Sequence, residues 1–112
     1  MTITLHRDDI PGDVDWGAAV AIDTETMGLD PKRDRLCLVQ LSSGDGTAHL
    51  VQISASSADA PNLISLLNDP SITKLFHFAR FDVAVLQKTF GVVTAPLYCT
   101  KIASKLARTY TD

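Results

Sequence analysis

Sulfur, membrane-spanning length and basic charge are all scarce in this sequence. There are two cysteines, Cys37 and Cys99, far apart and in no C-x-x-C pair. Cys37 falls inside an apolar run, which predicts a buried, reduced thiol. No apolar stretch approaches the roughly 18 residues that a membrane span needs. The first residues, Met1 to Arg7, lack a basic segment followed by an apolar core, so the expectation is no signal peptide, no membrane and a cytoplasmic protein. Net charge is −3 and the sequence pI about 5.4, which argues against a passive nucleic-acid binder with its basic footprint. It leaves room for an enzyme that meets phosphates through bound cations, because acidic ligands lower the formal charge and the cations restore positive potential. There is no internal repeat or low-complexity tract, and nothing marks a protein partner.

What remains is a chain of 112 residues, 46% hydrophobic and 21% charged, the composition of one ordinary globular domain. A chain this size buries roughly 65% of its unfolded surface, enough for a real core. Ala18–Thr24 is a short apolar run ending in polar residues, as suits a strand covered on both faces, though a buried helix fits the length as well. A loop with Gly28, Asp30 and Pro31 leads to a second apolar run, Leu36–Leu41. Gly44-Asp45-Gly46 is a turn signal, and His49–Ile53 reads as a third strand. The period then changes. Leu63, Leu66 and Leu67 follow helical spacing, with Pro61 suited to the first turn and Pro70 closing it. Ile72–Phe78 is a fourth strand. Ala79, Val83, Leu86 and Phe90 share one helical face, and Gly91 stops that helix. Ala95–Tyr98 is a short fifth strand, and Thr100–Tyr110 begins a further helix with Lys101, Lys105 and Arg108 on its solvated side. The expected order is β-β-β-α-β-α-β-α, an antiparallel three-strand meander followed by parallel βαβ units.

Asp23 and Glu25 stand two residues apart at the end of the first predicted strand, so both side chains point to one face of the sheet. Adjacent carboxylates repel unless a proton or cation intervenes, and a hard, oxygen-preferring ion such as Mg²⁺ or Mn²⁺ resolves the repulsion. Acids entering a solvated loop fit the same residues. Asp82 lies in the first turn of the helix after the fourth strand, where the helix dipole alone favours a carboxylate by roughly 0.3–1 kcal/mol. If the fourth strand lies beside the first, Asp82 comes near Asp23 at the carboxyl edge of the sheet, where sites gather.

The surrounding residues carry a resemblance. Ile22-Asp23-Thr24-Glu25-Thr26-Met27-Gly28-Leu29 resembles the first motif, D-x-E, of the DEDD 3′→5′ exonucleases. Leu36-Cys37-Leu38-Val39-Gln40-Leu41 is similar to the strand that follows it in the ribonuclease D branch. Leu75–Leu86 resembles the second motif, H-x-x-x-x-D-x-x-x-L, with His77 and Asp82 at its fixed positions. Tyr98–Ala103 is similar to the lead-in to the helical part of that branch. The resemblance implies a ribonuclease H-like α/β fold, with a mixed sheet flanked by helices. It also implies two divalent metal ions, Mg²⁺ or Mn²⁺, held by Asp23, Glu25 and Asp82 together with a fourth carboxylate, and acting on the last phosphodiester. In the same terms, backbone groups near Thr26 meet the terminal 3′-hydroxyl, Met27 or Leu29 wedges against the last base, and His77 contacts a phosphate. Met27 and Leu29 also fit plain loop anchoring, and His77 a structural role at a strand end.

The fourth carboxylate belongs to a third motif, Y-x-x-x-D or H-x-x-x-D, which this sequence lacks; Tyr98 is followed four residues on by Ile102. Residues 1–112 therefore read as the N-terminal portion of an exonuclease domain, interrupted before the third motif. The expected function is a 3′→5′ exoribonuclease of the ribonuclease D type, trimming structured RNA or tRNA 3′ ends, with RNA favoured over DNA. A proofreading-type DNA exonuclease and a metal-binding domain without turnover stand as alternatives. Asp23-Thr24-Glu25-Thr26 also resembles the nucleophile loop of haloacid-dehalogenase-like phosphatases, but Glu25 is one methylene too long for the general acid there.

Overall fold

The computed structural model describes residues 2–28, 35–54, 59–77 and 79–99. Among these residues lies one six-stranded mixed sheet built from β1 (Thr2–Arg7), β2 (Ala19–Thr26), β3 (Leu36–Ser42), β4 (Thr47–Gln52), β5 (Thr73–Phe76) and β6 (Leu97–Cys99). The spatial order is β1-β4-β3-β2-β5-β6. The predicted meander is present: β2 pairs antiparallel with β3, and β3 with β4. The crossover units are present too, with β5 parallel to β2 and β6 parallel to β5. The helix predicted over Thr100–Tyr110, with its basic stripe, lies outside the described residues, as does Leu29. No helix among the described residues is long and apolar enough to cross a membrane.

One strand goes beyond the expected order. Thr2–Arg7 runs parallel to β4 at the sheet edge, pairing Ile3 with Ala48 and Leu5 with Leu50. Ile3 and Leu5 are exposed, so this strand is held by its ladder and by its other face rather than by burial of its apolar residues. Cys37 also differs from expectation: it is only half-buried, as is Cys99.

Alternation along β2 decides which face of the sheet becomes core. Val20, Ile22 and Thr24 turn inward, while Ala21, Asp23 and Glu25 stay exposed. The inward residues meet Val39, Leu41 and Val51 from the sheet, together with Leu63 and Leu67 from α1 (Pro61–Leu67) and Val85 and Leu86 from α2 (Ala79–Phe90). Each such side chain, fully buried, contributes about 1.5–3 kcal/mol. Pro61 opens α1 as its pattern requires, but the preceding Ala60 offers no side-chain cap. Asp9, from the β1–β2 connector, supplies it, its carboxylate accepting from the Asn62 N–H at 3.1 Å and the Leu63 N–H at 2.9 Å. Gly91 ends α2 at φ +69°, its N–H reaching the Gln87 carbonyl at 2.8 Å, a conformation that favours glycine.

The inner face of β1 is tied down by an imidazole pair. His6 Nε2 and His49 Nδ1 are 3.0 Å apart, with ring planes within 12° and centroids 5.3 Å apart. With the edge nitrogens in contact, that separation sets the rings side by side in nearly one plane rather than face to face. Trp16 packs edge-on against His49 at 5.0 Å. One imidazole must donate and the other accept, so the bond survives only while one ring is neutral. Burial first, and then His49, lowers the pKa of His6. A group depressed on folding contributes stability above its unfolded pKa, about 6.5 for His, and that stability is lost as pH falls through the lowered value. The melting temperature is therefore expected to fall between pH 7 and pH 5, and to fall less in His6→Gln. An equal fall in both proteins would show that the pair does not set this dependence.

Candidate active site

The carboxyl ends of β2 and β5 lie side by side because the two strands run parallel, with Ala19 opposite Thr73 and Ala21 opposite Leu75. This adjacency brings the start of α2 to the end of β2. Asp82, in the first turn of α2, is buried. Its Oδ1 accepts a short hydrogen bond from the hydroxyl of Thr24, the residue between Asp23 and Glu25. The Thr24 N–H in turn donates to Asp23 Oδ1 at 3.0 Å. Asp23, Glu25 and Asp82 thus converge on one end of one strand, Asp23 and Glu25 exposed on the outer face and Asp82 buried behind Thr24.

Electrostatics record that convergence. Burial pushes the Asp82 carboxyl above the ordinary carboxylate range, the Thr24 hydrogen bond opposes this, and the charges of Asp23 and Glu25 push it further up. Among the described residues, no three His, Cys, Asp or Glu side chains already stand close enough to hold one ion between them. The donor set is nonetheless what a hard divalent cation requires. It is all carboxylate oxygen, and the charges that act on Asp82 among the described residues are those of Asp23 and Glu25.

The inward face of α2 is rotated from the expected stripe. Ala79, Asp82, Val85, Leu86 and Thr89 are buried, while Val83 and Phe90 are only partly so. Asp82 is the reason: apolar spacing counts it as a polar residue beside the stripe, whereas its hydrogen bond to Thr24 turns it into the core.

The other predicted contacts are distributed around this edge. Thr26 donates from its hydroxyl to the Gly28 carbonyl, a short bond that shapes the turn out of β2. The Met27 N–H donates to the Arg35 carbonyl at 3.0 Å. The Met27 side chain is 73% exposed. His77 is exposed at the end of β5. It lines, with Ala21, Asp23, Gln40 and Leu75, a cavity of about 520 Å³, so His77 and Asp23 share one opening. Strand alternation turns Thr24 inward between two outward acids, and spacing alone does not reveal its bond to Asp82. At the same edge the Arg35 guanidinium donates to the Ile53 carbonyl at 2.7 Å.

The family model described as 3′-5′ exonuclease matches residues 11–112; the chain belongs to that family. NrnC of Brucella melitensis is 62% identical over 99% of this chain and 54% of its own, with a TM-score of 0.92. The same protein has been solved with bound Mg²⁺ and bound to pGG. The structure of ribonuclease D of Escherichia coli, an exoribonuclease involved in structured RNA processing, is 32% identical over 78% of this chain and 23% of its own, with a TM-score of 0.64. Ribonuclease D of Acidiphilium cryptum is 35% identical over 88 residues, 79% of this chain. The chain spans about half the length of the NrnC it matches and about a fifth of the ribonucleases D.

Proposed function

We propose that this chain carries the metal-binding half of a 3′→5′ exoribonuclease that removes nucleotides singly from RNA 3′ ends by a two-metal-ion mechanism. The observation that carries the reading is Asp82 hydrogen-bonded through Thr24 to the strand end that bears Asp23 and Glu25, three carboxylates whose mutual repulsion a cation would relieve. Asp23, Glu25 and Asp82 would hold the two ions, Mg²⁺ or Mn²⁺. Cations bound there supply the activation of water and the stabilisation of charge on the departing 3′-oxygen. The Mg²⁺ in NrnC supports the cofactor.

The chain's own groups bind and orient. The backbone at Thr26 faces the terminal 3′-hydroxyl. Met27, exposed two residues after Glu25, offers an apolar side chain to wedge against the last base. His77, on the cavity with Asp23, meets a phosphate. The fourth carboxylate and the Tyr or His that orients water are assigned outside residues 1–112, which contain neither form of the third motif.

RNA is favoured over DNA by the ribonuclease D relatives and by the pGG complex of NrnC. The pGG complex supports substrates as short as a dinucleotide, and the E. coli ribonuclease D supports structured RNA ends. The test is release of label from 3′-end-labelled structured RNA, dinucleotide and DNA, by this chain and by any longer form. The expected result is single labelled nucleotides from RNA with Mg²⁺ or Mn²⁺, and none in EDTA. Undiminished release in EDTA, or internal cuts, sinks the proposal; preferential release from DNA sinks its substrate.

A further inference from the structure

We infer that Thr24 is the positioning residue of this site, one side chain and its own N–H fixing two ligands that come from different elements. It rests on the reading of Asp23 and Asp82 as metal ligands. In a D-x-E motif on a strand, the two acids point outward and the middle residue points inward. Any apolar side chain satisfies that inward position, alongside Val20 and Ile22. Thr24 instead places a hydroxyl there, and it is buried with 7% of its surface exposed. A buried hydroxyl needs a partner. Its partner is Asp82 Oδ1, across the interface between β2 and α2, while the Thr24 N–H holds Asp23 Oδ1 at 3.0 Å.

Two physical consequences follow from the residue type. A β-branched side chain is stiff about χ1, so the hydroxyl direction is set by the strand itself. Locking Oδ1 of Asp82 also fixes the plane of its carboxylate, which decides where the other oxygen points. Outer contacts of this kind orient metal ligands, and their loss typically costs 10–100-fold in metal affinity or activity. Valine matches threonine in shape and lacks only the donor. It leaves the N–H bond to Asp23 in place, so Thr24→Val removes the Asp82 contact alone.

The experiment is a calorimetric titration of the purified chain with Mn²⁺, run on wild type, Thr24→Val, Thr24→Ser, Thr24→Ala and Asp82→Asn, each first checked by circular dichroism and thermal melting. Thr24→Val is expected to bind Mn²⁺ on the order of tenfold more weakly, and Thr24→Ser, which keeps the donor, to stay within about threefold of wild type. Where valine fails to fold, the serine and alanine variants carry the test, serine binding about tenfold more tightly than alanine. Wild-type Mn²⁺ affinity in Thr24→Val, or equal affinity in the serine and alanine variants, overturns the inference. No uptake by wild type, or no loss in Asp82→Asn, overturns instead the metal-site reading beneath it.

Discussion

Replacing Asp82 with asparagine is expected to stabilise the metal-free chain and at the same time to remove the proposed activity. Asp82 is buried, and both its burial and the charges of Asp23 and Glu25 raise its pKa. A carboxyl with a raised folded pKa contributes its stability in the protonated form. That contribution is complete below the unfolded value of about 4 and is lost as pH rises through the folded value. Ionising Asp82 in the folded, metal-free chain therefore works against both burial and like charge. Asparagine keeps the shape and an oxygen that accepts from Thr24, and it drops the charge. The variant is therefore expected to melt at a higher temperature than wild type in metal-free buffer at pH 7. The difference between variant and wild type should shrink towards zero below pH 4. Mg²⁺ reverses the order, since a ligand that binds only the folded wild type stabilises it by about 2.7 kcal/mol at a hundredfold excess over Kd. Loss of a metal ligand is expected to reduce trimming roughly 10³-fold, equivalent to about 4 kcal/mol of transition-state stabilisation. Thermal melts across pH, with and without Mg²⁺, read the first effect, and the labelled-RNA assay reads the second. A variant less stable than wild type in metal-free buffer at pH 7 would mean that Asp82 is held by structure rather than kept for a cation.

Much of this was legible in the sequence because it rests on period. The meander, α1 with Pro61, the glycine stop at Gly91 and the outward pairing of Asp23 with Glu25 all follow from spacing and from glycine and proline chemistry. Asp82 was legible as an acid near the site, but its burial was not. A hydrogen bond to a residue 58 positions away leaves no trace in local pattern, and the apolar stripe of α2 was misplaced by one position for that reason. β1 was missed because its apolar residues, Ile3 and Leu5, remain exposed and its partner β4 lies more than 40 residues on. Thr24 was hidden by its neighbours: a motif written D-x-E treats as free the one position that the strand turns inward.

Lys74 is the other residue that pattern alone undervalues, and its replacement is expected to have the largest effect on stability. Strand alternation puts it on the inner face of β5 with Phe76, and it is fully buried. Burial is the first cause of its lowered pKa, with Asp69 opposing. Its ammonium donates to the Asp69 carbonyl at 2.5 Å, just past the end of α1, and to the Ala95 carbonyl at 2.8 Å, before β6. Its own N–H reaches the Pro96 carbonyl at 2.9 Å. One side chain therefore ties the exit of α1 to the entry of β6. Lys74→Ala removes the packed stem and leaves two carbonyls without their donor, an expected loss of about 3–5 kcal/mol, a large share of the 5–15 kcal/mol that holds a typical domain together. Lys74→Met keeps the stem and removes the buried charge together with its bonds. Those two changes oppose each other, so its expected loss is smaller, about 1–2 kcal/mol. Urea unfolding should rank the proteins wild type, methionine, alanine. Hydrogen exchange in the methionine variant should speed first in β6, whose entry the ammonium holds. A methionine variant as unstable as alanine would assign the whole effect to the hydrogen bonds. One as stable as wild type would assign it to the stem, and β6 would then keep its protection.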